Sequence, residues 1–147
     1  MKASLHHGGS FSDNRGTLRF VNEPSPGVYR RFYLITHPDT SVIRAWQGHR
    51  LEEKAFYTVG GRFMIAVVSP ANFEEPGDDE IPDFFQLTQE NNHFLRVPGG
   101  CYTGIKALTS DSTLLVLSGL DLAASKQDDY RQPAHRWVDW NAIPYHL

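Results

Sequence analysis

Residues 44–63 read RAWQGHRLEEKAFYTVGGRF, which sets Gln47 and His49 one residue apart and follows them with Glu53, Lys54 and a glycine pair at Gly60 and Gly61. Imidazole titrates near neutrality, so a histidine here suits either a metal ligand or a base that takes a proton from carbon. A carboxylate is a second ligand type, whereas a glutamine binds metal weakly at best and carries no proton. The stretch therefore admits a metal cradle, a metal-free proton-transfer site, or the remnant of either. Removing a proton beside a ketone leaves an enediolate, which cationic and hydrogen-bonding groups must stabilise.

Such residues need a scaffold, and the surrounding chain reads as strands. Segments rich in β-branched and aromatic residues run over 17–22, 29–36, 41–47, 54–59, 62–68, 83–88, 93–97, 102–108 and 112–120. Turn signals at EPSPG, HPD, GG, ENN, PGG and TSD separate them, a pattern that predicts an antiparallel sandwich or small barrel. The longest interruption, 69–82, is acidic and carries Pro70, Pro76 and Pro82, so it reads as a solvated hairpin excursion. Only DLAASKQDDYRQ has room for a turn or two of helix. Alternation along 41–47 puts Gln47 and His49 on the face of Ile43 and Ala45. Arg44 falls on the opposite face unless the strand bends or bulges.

At 147 residues the chain has the size of one domain, 1–147. Its formal net charge of −3 provides no basic field for nucleic acid or an anionic membrane, so an anionic ligand must be met locally. The lone Cys101 excludes an intrachain disulfide, and no apolar run has the length of a signal or a membrane span. A cytoplasmic protein is expected. His6 and His7, beside Gly8 and Gly9, read as a mobile terminal stretch without a role.

The order Gln47-Gly-His49-Arg-Leu-Glu-Glu53, with Gly60 after it, resembles the first cupin motif, H-x-H-x-x-x-E followed by a glycine. VPGGCYT, residues 97–103, resembles the second, in which a histidine follows P-x-G. The resemblance implies an all-β fold, the cupin double-stranded β-helix or jelly roll. With Gln47 and Thr103 at histidine positions, only His49 and Glu53 keep the family's usual metal donors, so no tight metal and no cofactor are expected.

A narrower resemblance is to RmlC-like cupins that act on nucleotide-linked 4-keto-6-deoxy sugars. SDNRGTLRFVNE, residues 12–23, resembles the D-x-R-G opening of dTDP-4-dehydrorhamnose 3,5-epimerases. The stretch from Arg44 resembles the R-G-x-H-x-H-K segment of dTDP-sugar 3,4-ketoisomerases, with Gln47 on the first histidine, His49 on the second and Arg50 on the lysine. STLLVLSGLDLAASKQDDYRQP resembles their LLVLAS strand and D-Y-x-R element, and VDWNAIP a closing Asp-Trp segment. The resemblance implies proton transfer next to a ketone, with His49 as base and Lys54 as the second catalytic candidate. Gln47, Arg15 and Arg44 would bind substrate, the arginines gripping a diphosphate in paired hydrogen bonds. Glutamine replaces the epimerase base, and the TLLVLSG strand lacks the tyrosine expected as acid. The ketoisomerase comparison is therefore the nearer one, and a non-catalytic nucleotide-sugar or carbohydrate binding cupin is the alternative. Asp129, Tyr130 and Arg131 belong to an element of mainly structural meaning, and Trp137 and Trp140 anchor the tail. The resemblance also implies a homodimer in which the N-terminal strand lies against the partner and Arg15 reaches its pocket.

Overall fold

The computed structural model describes residues 2–22 and 29–143; the expected turn at EPSPG and Pro144 of the closing segment lie outside them. Twelve strands and one short helix follow in the order β1 (Ser4–His7), β2 (Gly9–Asp13), β3 (Gly16–Phe20), β4 (Arg31–His37), β5 (Ile43–His49), β6 (Lys54–Gly60), β7 (Arg62–Val68), β8 (Asp83–Thr88), β9 (His93–Val97), β10 (Cys101–Ala107), β11 (Ser112–Ser118), α1 (Leu122–Lys126) and β12 (Tyr130–Arg131). They form two facing antiparallel sheets, β1-β9-β6-β11-β4 and β12-β5-β10-β7-β8, with β2 and β3 paired only to each other. From β4 to β7 the chain alternates between the sheets, and it does so again from β8 to β12. This is the jelly roll expected from the sequence.

The apolar patterning explains which strands go where. β11 alternates, with Leu114 and Val116 buried in the inter-sheet core and Leu115 and Leu117 on the other face. β7 is apolar almost throughout because both of its faces are covered. Phe63, Ile65 and Val67 enter the inter-sheet core. Met64, Ala66 and Val68 lie under a second cluster built on Trp46, Tyr102 and Trp140. A strand buried on both sides loses its polar alternation. Trp140 lies so close to β10 that a Cβ at Gly104 would stand 2.5 Å from its ring. Gly61, at φ +78°, takes the left-handed turn that carries the chain from one sheet to the other.

Three segments differ from the sequence reading. His6 and His7 are not a loose terminal stretch, since β1 pairs with β9 and sets His7 opposite His93. Backbone pairing, which needs no particular side chain, decides this. The segment 9–20 folds back on itself as a hairpin instead of joining a main sheet. Arg19 ties its base to the carbonyls of Gln89 and Val59, and Asn92 Nδ2 to those of Gly9 and Phe20. The 69–82 loop does join paired strands β7 and β8, as a hairpin should. It is not simply solvated, because Phe73 stacks on Tyr102 and Trp137 Nε1 donates to the Gly77 carbonyl. α1 is capped by Asp121, whose carboxylate accepts from the Ala124 N–H at 2.8 Å.

Candidate active site

A cavity of about 500 Å³ lies between the sheets. β4 and β6 contribute Tyr33 and Lys54 to one wall, and β5 and β10 contribute Arg44, Gln47 and Thr103 to the other, with Arg131 of β12 beside them. The charged residues lining it are Arg44, Lys54 and Arg131, all cations. Lys54 is buried, whereas Arg44 and Arg131 are exposed and stand at the rim. The pocket of this acidic protein is thus lined by cations, of which Arg131 pairs with Asp129 at 2.7 Å and the enclosed Lys54 ammonium donates to the neutral groups Tyr33 and Gln47.

The strand register brings Arg44 into this site. Thr103 pairs with Gln47, but Ile105 pairs with Arg44, so the register of β5 slips between them. Two steps on β10 thereby match three on β5, and residues that strict alternation would separate line the same cavity. Beyond Gln47 there is no slip: Tyr102 pairs with Gly48 and Cys101 with His49. Lys54 Nζ donates to Tyr33 Oη at 3.0 Å and to Gln47 Oε1 at 3.5 Å, bridging the two walls.

His49 lies farther along the β5 wall than Gln47, is buried, and is not among the residues lining the cavity. Its Nδ1 is 2.6 Å from the Asp128 carbonyl and 2.9 Å from Glu52 Oε2. Its Nε2 is shielded from solvent and has no hydrogen-bond partner among the described residues. Glu52 is itself fully enclosed, accepting from Ser118 Oγ, from Ser125 Oγ at 3.2 Å and from Arg31 at 3.4 Å. Burial pushes its carboxyl up, but hydrogen bonds from His49 and Ser118 and the nearby Lys54 charge more than offset this, holding it down at about 2. The Asp128 carboxylate accepts the backbone N–H groups of Arg50, Leu51 and Glu52 and so shapes the turn after β5.

The carboxylate that meets His49 is therefore Glu52, not the motif's Glu53. Glu53 faces away, paired with Arg96 at 2.9 Å and accepting from Tyr29 Oη at 2.8 Å. Among the described residues no three histidine, cysteine or acidic side chains converge as metal donors. With Nδ1 of His49 already engaged and Glu53 turned outward, the residues present do not fit a cupin metal centre.

The structure brings Arg44, Gln47 and Lys54 together at the cavity, sets His49 beyond it, and leaves Arg15 elsewhere. Arg15 lies at the tip of the β2–β3 hairpin, exposed and paired with Asp13 at 2.6 Å. Sequence reasoning missed Tyr33, Glu52 and Arg131. Tyr33 sits opposite Val116 of β11, so β4 supplies from the neighbouring strand the phenol that β11 lacks. Arg131 enters because β12 pairs it with Gln47. The D-Y-x-R resemblance was the available signal for it. No helix among the described residues is long and apolar enough to cross a membrane.

No protein-family model matches the sequence. The chain is 30% identical over 122 residues, 76% of its length and 72% of the relative's, to the probable low-salt glycan biosynthesis epimerase Agl13 of Haloferax volcanii. Its fold is similar to that of the RmlC epimerase of Mycobacterium tuberculosis, with a TM-score of 0.79 and 18% identity over 97% of this chain and 76% of that one. It is also similar to a histidine-to-asparagine variant of the 3,4-ketoisomerase QdtA from Thermoanaerobacterium thermosaccharolyticum, solved with TDP-4-keto-6-deoxyglucose. That match has a TM-score of 0.71 and 18% identity over 89% of this chain and 88% of that one.

Proposed function

We propose that this chain, which belongs to the RmlC-like cupin superfamily, is a metal-free isomerase or epimerase of a nucleotide-linked 4-keto-6-deoxy sugar, nearer to a 3,4-ketoisomerase than to a complete 3,5-epimerase. The observation that carries the reading is the cavity, lined by Arg44, Lys54 and Arg131 without a carboxylate. At the rim Arg44 offers its forked donors to the diphosphate, Arg131 adds positive charge beside it while its own fork pairs with Asp129 at 2.7 Å, and the sugar ring enters between the walls. Lys54, with Tyr33 and Gln47 around it, faces the oxygens on which negative charge develops when a proton leaves carbon 3. His49, on β5 beyond Gln47 and outside the cavity lining, is the base in this scheme through its Nε2. Return of the proton to carbon 4, with the hydroxyl proton moving from oxygen 3 to oxygen 4, converts the 4-ketone into the 3-ketone.

The position of Tyr33 favours a second reading of the same site. Its phenol lies on the wall opposite β5, so a proton removed from one face of the sugar can be returned to the other. The product would then be an epimer at a single carbon. Incubation with TDP-4-keto-6-deoxyglucose in heavy water, followed by proton NMR, separates the two. Ketoisomerisation moves the carbonyl to carbon 3, epimerisation keeps it at carbon 4 with inverted geometry at the exchanged carbon, and no deuterium uptake across several nucleotide sugars defeats both.

The active form we assign is a cytoplasmic homodimer. The hairpin exposes Phe11 and Leu18, at 59% and 61%, and the outer face of β4 exposes Phe32 and Leu34, at 67% and 59%. A second copy covering these side chains removes them from water and gives the hairpin a place to set Arg15 at the partner's rim.

A further inference from the structure

We propose that Glu52 is the positioning residue of this site, holding His49 in the tautomer with its proton on Nδ1 and leaving the Nε2 lone pair bare. The inference rests on the assignment of His49 as the base. Two oxygens, the Asp128 carbonyl at 2.6 Å and Glu52 Oε2 at 2.9 Å, flank the same ring nitrogen. A bare nitrogen lone pair facing two acceptor oxygens is repulsive, so Nδ1 carries the hydrogen. Neutral imidazole has one N–H, which leaves Nε2 as the acceptor, and Nε2 is the buried atom without a partner among the described residues.

The carbonyl accepts the N–H, while the carboxylate supplies full negative charge beside it. That charge matters when Nε2 takes a proton and the ring becomes a cation in an enclosed setting. Glu52 is built to stay fixed and ionised while this happens. Ser118 and Arg31 donate to Oε1, Ser125 donates to Oε2, and Asp128 clamps the backbone N–H of Glu52 itself at 2.8 Å. None of these groups lines the cavity, so none competes with substrate.

The test labels the full-length chain with ¹⁵N-histidine and reads the ring nitrogens through their two-bond couplings to carbon-bound hydrogens at pH 8, assigning His49 by its loss in His49→Asn. Wild-type His49 is expected with Nδ1 protonated and Nε2 not; a proton on Nε2 overturns the proposal without any variant. In Glu52→Gln the Asp128 carbonyl still accepts from Nδ1, but the carboxylate charge is gone and the amide can turn its N–H toward the ring, so the Nε2–H tautomer should gain population beside the Nδ1–H form. The kcat for the keto-sugar should then fall by roughly a hundredfold, the lower end of what a positioned base contributes, with KM little changed. A Glu52→Gln protein that folds and keeps both the wild-type tautomer and the wild-type kcat also overturns it. The tautomer measurement needs no substrate, so it stands apart from the base assignment, which falls separately if His49→Asn turns over normally.

Discussion

Replacing Lys54 by methionine removes the charge from the cavity while keeping a side chain of similar length and apolar character. The ammonium is enclosed, and its hydrogen-bond partners in the site are the neutral groups Tyr33 Oη at 3.0 Å and Gln47 Oε1 at 3.5 Å. Its charge is therefore available to a substrate oxygen. An enediolate oxygen about 4 Å from a unit positive charge gains roughly 4 kcal/mol at an effective dielectric near 20, and the neutral ketone gains much less. At about 1.4 kcal/mol per decade, Lys54→Met should lower kcat/KM by roughly a thousandfold. Stability should hardly change. Tyr33 and Gln47 both line the cavity, where water can replace the lost donor. Removing a buried ammonium also relieves a desolvation cost, so the expected change is about 1 kcal/mol or less, a shift of roughly 2–4 °C in Tm. Initial rates with TDP-4-keto-6-deoxyglucose followed by NMR, beside a thermal melt, measure both. A variant within about fivefold of wild type at unchanged Tm refutes the electrostatic role given to Lys54.

His49→Asn should abolish turnover, by about a hundredfold to ten-thousandfold, while circular dichroism reports an intact fold; unchanged activity rejects His49 as the base. Deleting residues 9–20, which pair with no main sheet, should leave a folded chain that light scattering finds monomeric and that binds TDP more weakly. A full-length monomer at micromolar concentration removes the shared site. Trp140→Ala, in the outer cluster against Gly104 and Trp46, should cost about 3–5 kcal/mol in urea unfolding, and a loss under about 1 kcal/mol contradicts the packing account. Acid should weaken the fold in two stages. Burial lowers His37 and His93, so the unfolded chain takes up protons first, and stability present above about 6.5 declines below it. Glu52, held at about 2 against an ordinary 4.5, contributes stability that is present above about pH 4.5 and lost on the way down to pH 2. Urea midpoints at pH 8, 5.5 and 3.5 that rise with acidity contradict this ordering.

Most strands of the two main sheets were legible in the chain because their causes are local. Alternating apolar residues mark β11, an unbroken apolar run marks β7, and glycine or proline turns divide the rest. β1 carries no comparable signal, since pairing with β9 rather than side-chain pattern holds His6 and His7 in place. The motif spacing singled out Gln47, His49 and Lys54, and the fold lines the cavity with Gln47 and Lys54 from facing sheets while setting His49 beyond it. Periodicity also gave a definite statement about Arg44, that it should point away. The slip between β5 and β10 reverses this, and a slip depends on how two strands sixty residues apart align, which neither strand encodes alone. The same holds for the carboxylate beside His49. Glu52 and Glu53 are adjacent and chemically alike, and the choice between them falls to Ser118, Ser125 and Arg31 on one side and Arg96 and Tyr29 on the other. Tyr33 and Arg131 reach the cavity because β4 pairs with β11 and β12 pairs with β5. Local patterning thus set the strands and their inward faces, while long-range pairing set which polar groups meet across the gap between the sheets.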